Sequence, residues 1–338
     1  MLWLQTISSN SFIIRELFMS HDKLHVIAVI SNPLNFKSRY QLYRQFERYM
    51  KNAINVVLWT AELAIGDQEF AITQSDNPYH FQFRTNDILW HKENLINMVI
   101  KRLPKGCKYL SPTDADIIYA DPNFATKIIE KLKQFPVVQT FSEVQDLLPD
   151  CSCTPTKGPS FTYRVLNGMY VPGKSYGSVG APGFAWAFTR EAYDLMGGIP
   201  DFPILGSADF FMASSFFGYL GDSIFKELEK KGSKIVIPAE EALPEYQEKL
   251  YAWQANALEK VGGQVSYVPG LILHYWHGRR SARGYRTRNS YLIDAEYVVS
   301  RDIYYREDGL IEFTDANPTL RTGILEYFVT RDEDSLII

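Results

Sequence analysis

The chain has 338 residues, of which 46% are hydrophobic and 14% aromatic, and its formal net charge is -4. This composition supports a large buried core and excludes long stretches of disorder. The small negative charge excludes a general attraction to nucleic acid or to anionic membranes. A polyanionic ligand would therefore need a local basic patch.

The cysteines and the N-terminal stretch bear on location. Cys151 and Cys153 are separated by one residue, which strains a disulfide, and Cys107 stands apart. Residues 1–20 lack the basic leader of a signal peptide and are too short in apolar sequence to span a bilayer. We therefore expect an N-terminal extension over 1–20 and a cytoplasmic protein in a reducing compartment.

The first 150 residues alternate predicted strands and helices. The clearest strand is HVIAVIS, residues 25–31, an apolar β-branched run that ends at Asn32 and Pro33. The elements that follow are a helix over 39–53, a strand over 54–63, a helix over 87–104, a strand leading to 114–116, a helix over 125–135 and a strand over 136–142. This alternation predicts an α/β fold with a mixed, mostly parallel sheet flanked by helices, and ligands at the strand ends.

The second half begins with a change of composition. Residues 151–183 are rich in Gly, Pro and Ser, which predicts a flexible loop and a candidate lid. The predicted elements that follow are a strand and helix within 184–203, a helix over 244–263, a strand pair or bent strand over 265–278, and a basic run over 279–288. Residues 291–338 form a C-terminal appendage to which the sequence assigns no chemistry.

Asp114 and Asp116 flank a single residue at a predicted strand end. Two such carboxylates can share a divalent cation, and hard oxygen ligands suit Mg²⁺ or Mn²⁺. Turn and cap carboxylates give the same triplet, but the strand before it and the helix after it favour a metal site. His274 or His277, in LILHYWHG, would add an imidazole; alternatively, one packs among aromatic rings and the other faces solvent.

Three further features suggest chemistry. Asp209 lies in an apolar setting that suits a general base, although it could equally cap the following helix. Lys92 stands near a helix start, where its charge would add to the helix's preference for phosphate, or it is a solvated surface residue. The basic run would clamp a diphosphate or a polyanionic acceptor, or is a solvated loop; its arginines are Arg279, Arg280, Arg283, Arg286 and Arg288.

The order of these motifs resembles the GT-A glycosyltransferases, in particular the branch with a galactosyltransferase-type C-terminal half. The resemblance covers about residues 25–288. The segments that carry it are HVIAVISNP, WHKENLIN, DAD, GFAWAFTREAYDLMGGIPDFPILGSADF and LILHYWHG.

The resemblance implies a GT-A domain over 21–290, with a nucleotide-sugar half over 21–150 and an acceptor half over 151–290. It implies transfer of a hexose or related sugar from a nucleotide sugar, UDP-sugar being favoured, with Mn²⁺ or Mg²⁺ as cofactor. The implied roles are nucleoside binding by Asn32, Pro33 and Glu62, donor contacts by Lys92, Asn97, Arg279 and Arg283, contact with ribose or the ion by Asp114, metal binding by Asp116 with His274 or His277, and general base catalysis with inversion by Asp209.

Two other functions stay open from the residues themselves. A nucleotidyltransferase or phosphoesterase would share the acidic motif and the ion. A non-catalytic glycan- or nucleic-acid-binding protein on the same fold would use the aromatics and the basic cluster over 279–288. The same cluster leaves an acceptor glycan and a modified nucleic acid open as acceptors.

Overall fold

The computed structural model describes residues 22–170, 179–220, 243–285 and 288–336. Its strands are β1 Leu24–Ser31, β2 Val56–Ile65, β3 His80–Thr85, β4 Tyr109–Pro112, β5 Ile117–Tyr119, β6 Val137–Gln139, β7 Glu143–Asp146, β8 Gly158–Pro159, β9 Trp186–Thr189, β10 Val265–Tyr267, β11 Leu271–His274, β12 Ile303–Tyr305 and β13 Ile311–Phe313. Its helices are α1 Lys37–Lys51, α2 Lys92–Arg102, α3 Phe124–Leu132, α4 Phe161–Leu166, α5 Arg190–Leu195, α6 Ala208–Ser215, α7 Pro244–Val261, α8 Ser290–Asp294, α9 Val299–Asp302 and α10 Pro318–Val329, with a 3₁₀ turn at Arg280–Arg283.

The main sheet has seven strands in the order β10-β6-β9-β4-β1-β2-β3. Strand β9 runs antiparallel to both of its neighbours, and the other pairs are parallel. Along β1, Ile27 packs into one hydrophobic cluster, whereas Val26 and Ala28 pack into the other. Because side chains alternate across a strand, this continuous apolar run buries both faces of the sheet. The predicted α/β class with a mixed, mostly parallel sheet is confirmed.

A smaller sheet has the order β5-β11-β7-β8. Its central strand β11 is antiparallel to β5 and parallel to β7. The strand pair predicted over 265–278 is thus divided between two sheets, because β10 pairs with β6 and β11 pairs with β5 and β7. This division places the end of β11 beside the acidic motif that precedes β5.

The sequence predictions set three segments apart from the rest of the chain, namely the interval 151–183, the extension over 1–20 and the C-terminal appendage. The interval 151–183 contains β8 and helix α4 within its described residues, and 171–178 lie outside them. Residues 1–20 lie outside the described residues as well. The C-terminal segment packs into the larger core cluster through Leu292, Ile311 and Phe328. No helix in the described part of the chain is long and apolar enough to cross a membrane.

Candidate metal centre and substrate cleft

The small sheet brings the acidic motif and the histidine motif together. His274 ends β11 and lies opposite Ile117, the first residue of β5, in antiparallel register. Asp116 directly precedes β5, and its carbonyl accepts a hydrogen bond from the Tyr275 amide at 2.8 Å. The backbone pairing therefore fixes the separation of two motifs that are about 160 residues apart in sequence.

Asp116, His274 and His277 direct three ligand atoms at one point. His277 Nε2 lies 3.1 Å from Asp116 Oδ2 and 3.1 Å from His274 Nε2. The third separation, from His274 Nε2 to Asp116 Oδ2, is 3.9 Å. Ligands about 2.1 Å from a shared ion, at right angles, are about 3.0 Å apart, so this triad fits one metal ion. Asp116 Oδ1 is buried and has no hydrogen-bond partner among the described residues, which leaves it available to an ion as well.

Asp146 forms a hydrogen bond with the ring nitrogen of His274 that faces away from the triad. Its Oδ1 lies 2.7 Å from His274 Nδ1, and the two residues are register partners in the parallel pairing of β7 with β11. A carboxylate at Nδ1 favours the tautomer that leaves the Nε2 lone pair free for a metal. The His274 bond is the main cause of a lowered Asp146 pKa. Nothing in the sequence indicated Asp146, because its strand, EVQD, has only one apolar residue.

The protonation states of His277 and Asp116 suit the binding of a metal cation. Burial, assisted by the charge of Arg283, lowers the pKa of His277 to about 4, so this imidazole is neutral near pH 7. Burial raises the pKa of Asp116, but the hydrogen bond with His277 and the positive charge of Arg283 outweigh burial and hold this pKa well below its usual range. A neutral imidazole and an ionised carboxylate are the forms that bind metals.

The triad opens into a cleft of about 190 Å³ that crosses the carboxyl end of β1. Several of its lining side chains are charged. These are Arg39, Lys92, Glu93, Asp114, Asp116, Asp209, Arg283, Arg288, Arg331 and Glu333. Such a cleft can hold a ligand with separate anionic and polar parts.

Lys92 and Asp114 form an ion pair in this cleft. Asp114 lies outside the three-ligand cluster found among the described residues. Burial lowers the pKa of Lys92, but the carboxylates of Asp114, Glu93 and Asp209 raise it above its usual value, so the ammonium stays charged. Burial raises the pKa of the neighbouring Glu93 to about 7.

Asp209 is the second residue of α6 and lines the cleft beside Lys92 and Asp114. Its Oδ1 accepts the amide of Phe210 at 2.8 Å. The backbone of Gly183 approaches the other oxygen so closely that a Cβ there would lie 2.3 Å from Oδ2. The absence of a side chain at 183 therefore makes room for the Asp209 carboxylate.

Five residues to which the resemblance gives donor roles lie outside the cleft lining. Asn32 bonds the backbone of Phe36 through both side-chain atoms, with Pro33 in the same turn. Glu62 is buried, and its carboxylate accepts amide hydrogens from residues 71–73. Asn97 bonds the backbone of Ile199, and Arg279 is exposed at the start of the 3₁₀ turn. Arg283, four residues further on, does line the cleft.

The C-terminal segment completes one wall of the cleft, which the sequence did not indicate. Glu333 is 1% exposed and pairs with two arginines. Arg331 Nε donates to its Oε1 at 2.5 Å, and Arg39 Nη2 donates to the same oxygen at 2.6 Å. Trp276, one residue before His277, donates to the carbonyl of Ser335 at 2.7 Å. The segment thus ties the loop that carries His277 to the start of α1.

No family model matches the chain, and no curated protein matches it. Among solved structures, it is similar to the catalytic domain of Drosophila beta1,4galactosyltransferase 7 in complex with xylobiose, at 11% identity and a TM-score of 0.33, over 68% of this chain and 79% of that one. It is also similar to a putative nucleotide-diphospho-sugar transferase from Desulfovibrio desulfuricans G20, at 11% identity and a TM-score of 0.32, over 91% and 99%.

A third similar structure is a mannosyltransferase from Pyrobaculum calidifontis in complex with GDP-Man and Mn²⁺. The two chains are 12% identical with a TM-score of 0.31, over 76% of this chain and 81% of that one. All three structures are named as sugar transferases.

Proposed function

We propose that the chain is a metal-dependent glycosyltransferase. It would move a hexose or related sugar from a nucleotide sugar, preferably a UDP-sugar, to an acceptor hydroxyl with inversion. The observation that carries this proposal is the shared cleft: the triad of Asp116, His274 and His277 opens into the same space as the Lys92 ammonium and the Asp209 carboxylate.

The proposed reaction builds negative charge on the departing nucleoside diphosphate. A divalent ion on the triad supplies Lewis-acid stabilisation of that charge, and two imidazole ligands favour Mn²⁺ over Mg²⁺. Arg283 is buried, and within the described residues no carboxylate lies at ion-pair distance from it. Its Nη1 and Nη2 donate to the Tyr285 hydroxyl and the Gly278 carbonyl, and its Nε–H has no acceptor among the described residues. The Nε–H is therefore the donor that would be left for the diphosphate.

Proton removal from the acceptor is the second requirement. Asp209 is the carboxylate we assign to it, because it lines the cleft and keeps one oxygen, Oδ2, free of the backbone bond that holds Oδ1. Base catalysis by a carboxylate suits a single displacement, which inverts the anomeric centre. The exposed Arg279 and Arg280 would meet an acceptor glycan or a modified nucleic acid.

A thermal-shift screen with Mn²⁺ and UDP, GDP or CDP tests the proposal. We expect UDP with Mn²⁺ to raise the Tm by several degrees and either component alone to do less. Asp116→Asn should abolish the increment due to the ion, whereas Asp67→Asn, at an exposed position, should retain it. No increment in the parent protein with any of the three nucleotides would refute the proposal. Release of pyrophosphate from UTP, without UDP release from UDP-sugars, would instead indicate a nucleotidyltransferase.

A further inference from the structure

Arg288 is a buried cation whose side-chain hydrogen-bond partners, among the described residues, are hydroxyl groups. It is 5% exposed and lines the cleft. Its Nη2 donates to Ser207 Oγ at 2.7 Å and its Nη1 faces the Tyr327 hydroxyl at 3.5 Å, whereas its Nε–H has no acceptor in the part of the chain that the structure describes. Within the described ranges no carboxylate lies at ion-pair distance from it. A guanidinium buried in this way is costly unless an anion joins it.

Arg331, unlike Arg288, is paired with a carboxylate. It is equally buried, but Glu333 accepts from its Nε at 2.5 Å. Both arginines face the Tyr327 hydroxyl. Burial raises the pKa of that phenol, yet Arg331 and Arg288 together lower it to below its usual value. This corner of the cleft therefore holds two guanidinium groups, and Glu333 pairs with that of Arg331 but not with that of Arg288.

The surroundings of Arg288 fit its side chain closely. Gly206 has φ +86°, and a Cβ there would lie 2.8 Å from Arg288 Nη1. The next residue, Ser207, adopts φ 74°, a left-handed conformation that is rare outside glycine, and its hydroxyl accepts from the guanidinium. The rings of Tyr285 and Trp90 lie 5.3 and 5.9 Å from the guanidinium carbon. Backbone and rings thus hold the cation in one place.

The position of Arg288 differs from that of Arg283. Arg283 acts electrostatically on Asp116 and His277, so it belongs to the metal side of the cleft. Arg288 is bonded to Ser207, two residues before Asp209, and its charge interacts with Asp209. An anion on Arg288 would therefore lie beside the proposed base and not at the metal-bound diphosphate.

We infer that Arg288, with Ser207 and Tyr327, forms a second anion subsite that binds a carboxylate or phosphate on the transferred sugar or on the acceptor. The substrates of the transfer would thus include an acidic one. The place of this subsite in the reaction rests on the proposed function. The anion binding itself depends only on the residues around Arg288.

Matched acidic and neutral probes test the subsite by calorimetry or NMR titration. The donor arm compares UDP-glucuronate with UDP-glucose in the presence of Mn²⁺. The acceptor arm compares glucuronate and glucose 6-phosphate with glucose, with and without UDP and Mn²⁺. We expect an acidic probe to bind roughly 10- to 100-fold more tightly than its neutral twin in one arm, which identifies the partner that carries the anion.

Three variants test whether Arg288 causes the preference for the acidic probe. Arg288→Gln should remove the preference, and Arg288→Lys, which keeps the charge but not the forked geometry, should retain part of it. Arg48→Gln makes the same charge change on the exposed face of α1 and should leave the preference intact. If Arg288→Gln fails to fold, the test is the preference of Arg288→Lys for the acidic probe. A preference as strong as that of the parent would then contradict the role of the Arg288 guanidinium.

The outcomes separate this inference from the proposed function. Equal binding of acidic and neutral probes by the parent in both arms overturns the subsite, even if UDP and Mn²⁺ bind. Failure of UDP and Mn²⁺ to bind overturns the proposed function. The nucleotide-free arm with glucuronate and glucose 6-phosphate still tests the subsite in that case.

Discussion

Asp146 and His274 are register partners on two adjacent parallel strands, and their side chains meet in a 2.7 Å hydrogen bond. The bond holds the ring nitrogen that faces away from the candidate ion. The other ring nitrogen, Nε2, is thereby directed at Asp116 and His277. Asp146, which is not one of the three candidate ligands, thus orients one of them.

Asp146→Asn should weaken Mn²⁺ binding by about 10- to 100-fold without removing it, because the amide orients the imidazole less firmly and does not raise its basicity. Isothermal titration of Mn²⁺ into the UDP complex measures the effect. Asp150→Asn, on an exposed loop, is the matched control. Unchanged Mn²⁺ affinity in Asp146→Asn would show that His274 does not depend on this carboxylate.

Asp209→Asn should lower the rate of sugar transfer by roughly 10²- to 10⁴-fold, the usual contribution of a positioned base. Nucleotide affinity should barely change, because the donor meets the metal, Lys92 and Arg283 instead. Asparagine keeps the side-chain oxygen that accepts from the Phe210 amide, so the fold should persist. Single-turnover assays with parent, Asp209→Asn and the exposed Asp194→Asn measure the difference. Transfer at the parent rate would leave the reaction without an assigned base and would favour a retaining mechanism.

Gly183→Ala tests the same carboxylate without changing its chemistry. The added methyl carbon would lie 2.3 Å from Asp209 Oδ2, so the carboxylate or the backbone must shift. We expect kcat to fall at least tenfold, in line with the sensitivity of catalysis to displacements of about 1 Å, while nucleotide binding with Mn²⁺ persists. Gly270→Ala is the control, since nothing lies within 4 Å of its added carbon. Equal kcat values for the two variants would contradict the proposed role of Asp209.

His25 should make stability depend on pH. Burial, with a contribution from Lys23, lowers its pKa from 6.5 to about 4, and its Nδ1 accepts from Trp59 Nε1 at 3.0 Å. The unfolded chain takes up the proton first, so this contribution is complete above pH 6.5 and is lost as the pH falls from 6.5 towards 4.

Urea unfolding at neutral pH and at about pH 4.5 measures this loss. His25→Asn keeps an acceptor for Trp59 but cannot be protonated in this range. Between the two pH values, the free energy of unfolding of this variant should fall by about 2 kcal/mol less than that of the parent. Identical losses in the two proteins would place the proton uptake elsewhere.

Apolar runs in the sequence predicted six of the seven strands of the main sheet but not β3, His80–Thr85, which has only two apolar residues. The run over 25–31 is apolar on both faces, as expected of a strand buried between two layers. The metal motifs were also visible, but the choice between His274 and His277 was not. That choice depends on how β11 pairs with β5, which no local spacing encodes, and the structure directs both histidines at Asp116.

Other site residues depend on long-range pairing in the same way. Asp146 gains its role through register with a strand 128 residues away. Glu62 could not be distinguished by sequence from a ligand-binding carboxylate, whereas the structure shows its oxygens bonded to backbone amides of a neighbouring loop. The cleft contacts of Arg331 and Glu333 depend on where the chain returns after α10, which the sequence of this charged segment does not indicate.

The pairing of Arg39 with Glu333 spans 294 residues. A ribosome that adds about 5–20 residues per second makes Arg39 roughly 15–60 s before its partner. During synthesis, the first βα unit must therefore fold with this guanidinium still unpaired and the future wall of the cleft absent. The cleft therefore acquires this wall only after residue 333 has been synthesised, and a shorter nascent chain exposes the Arg39 guanidinium without its partner.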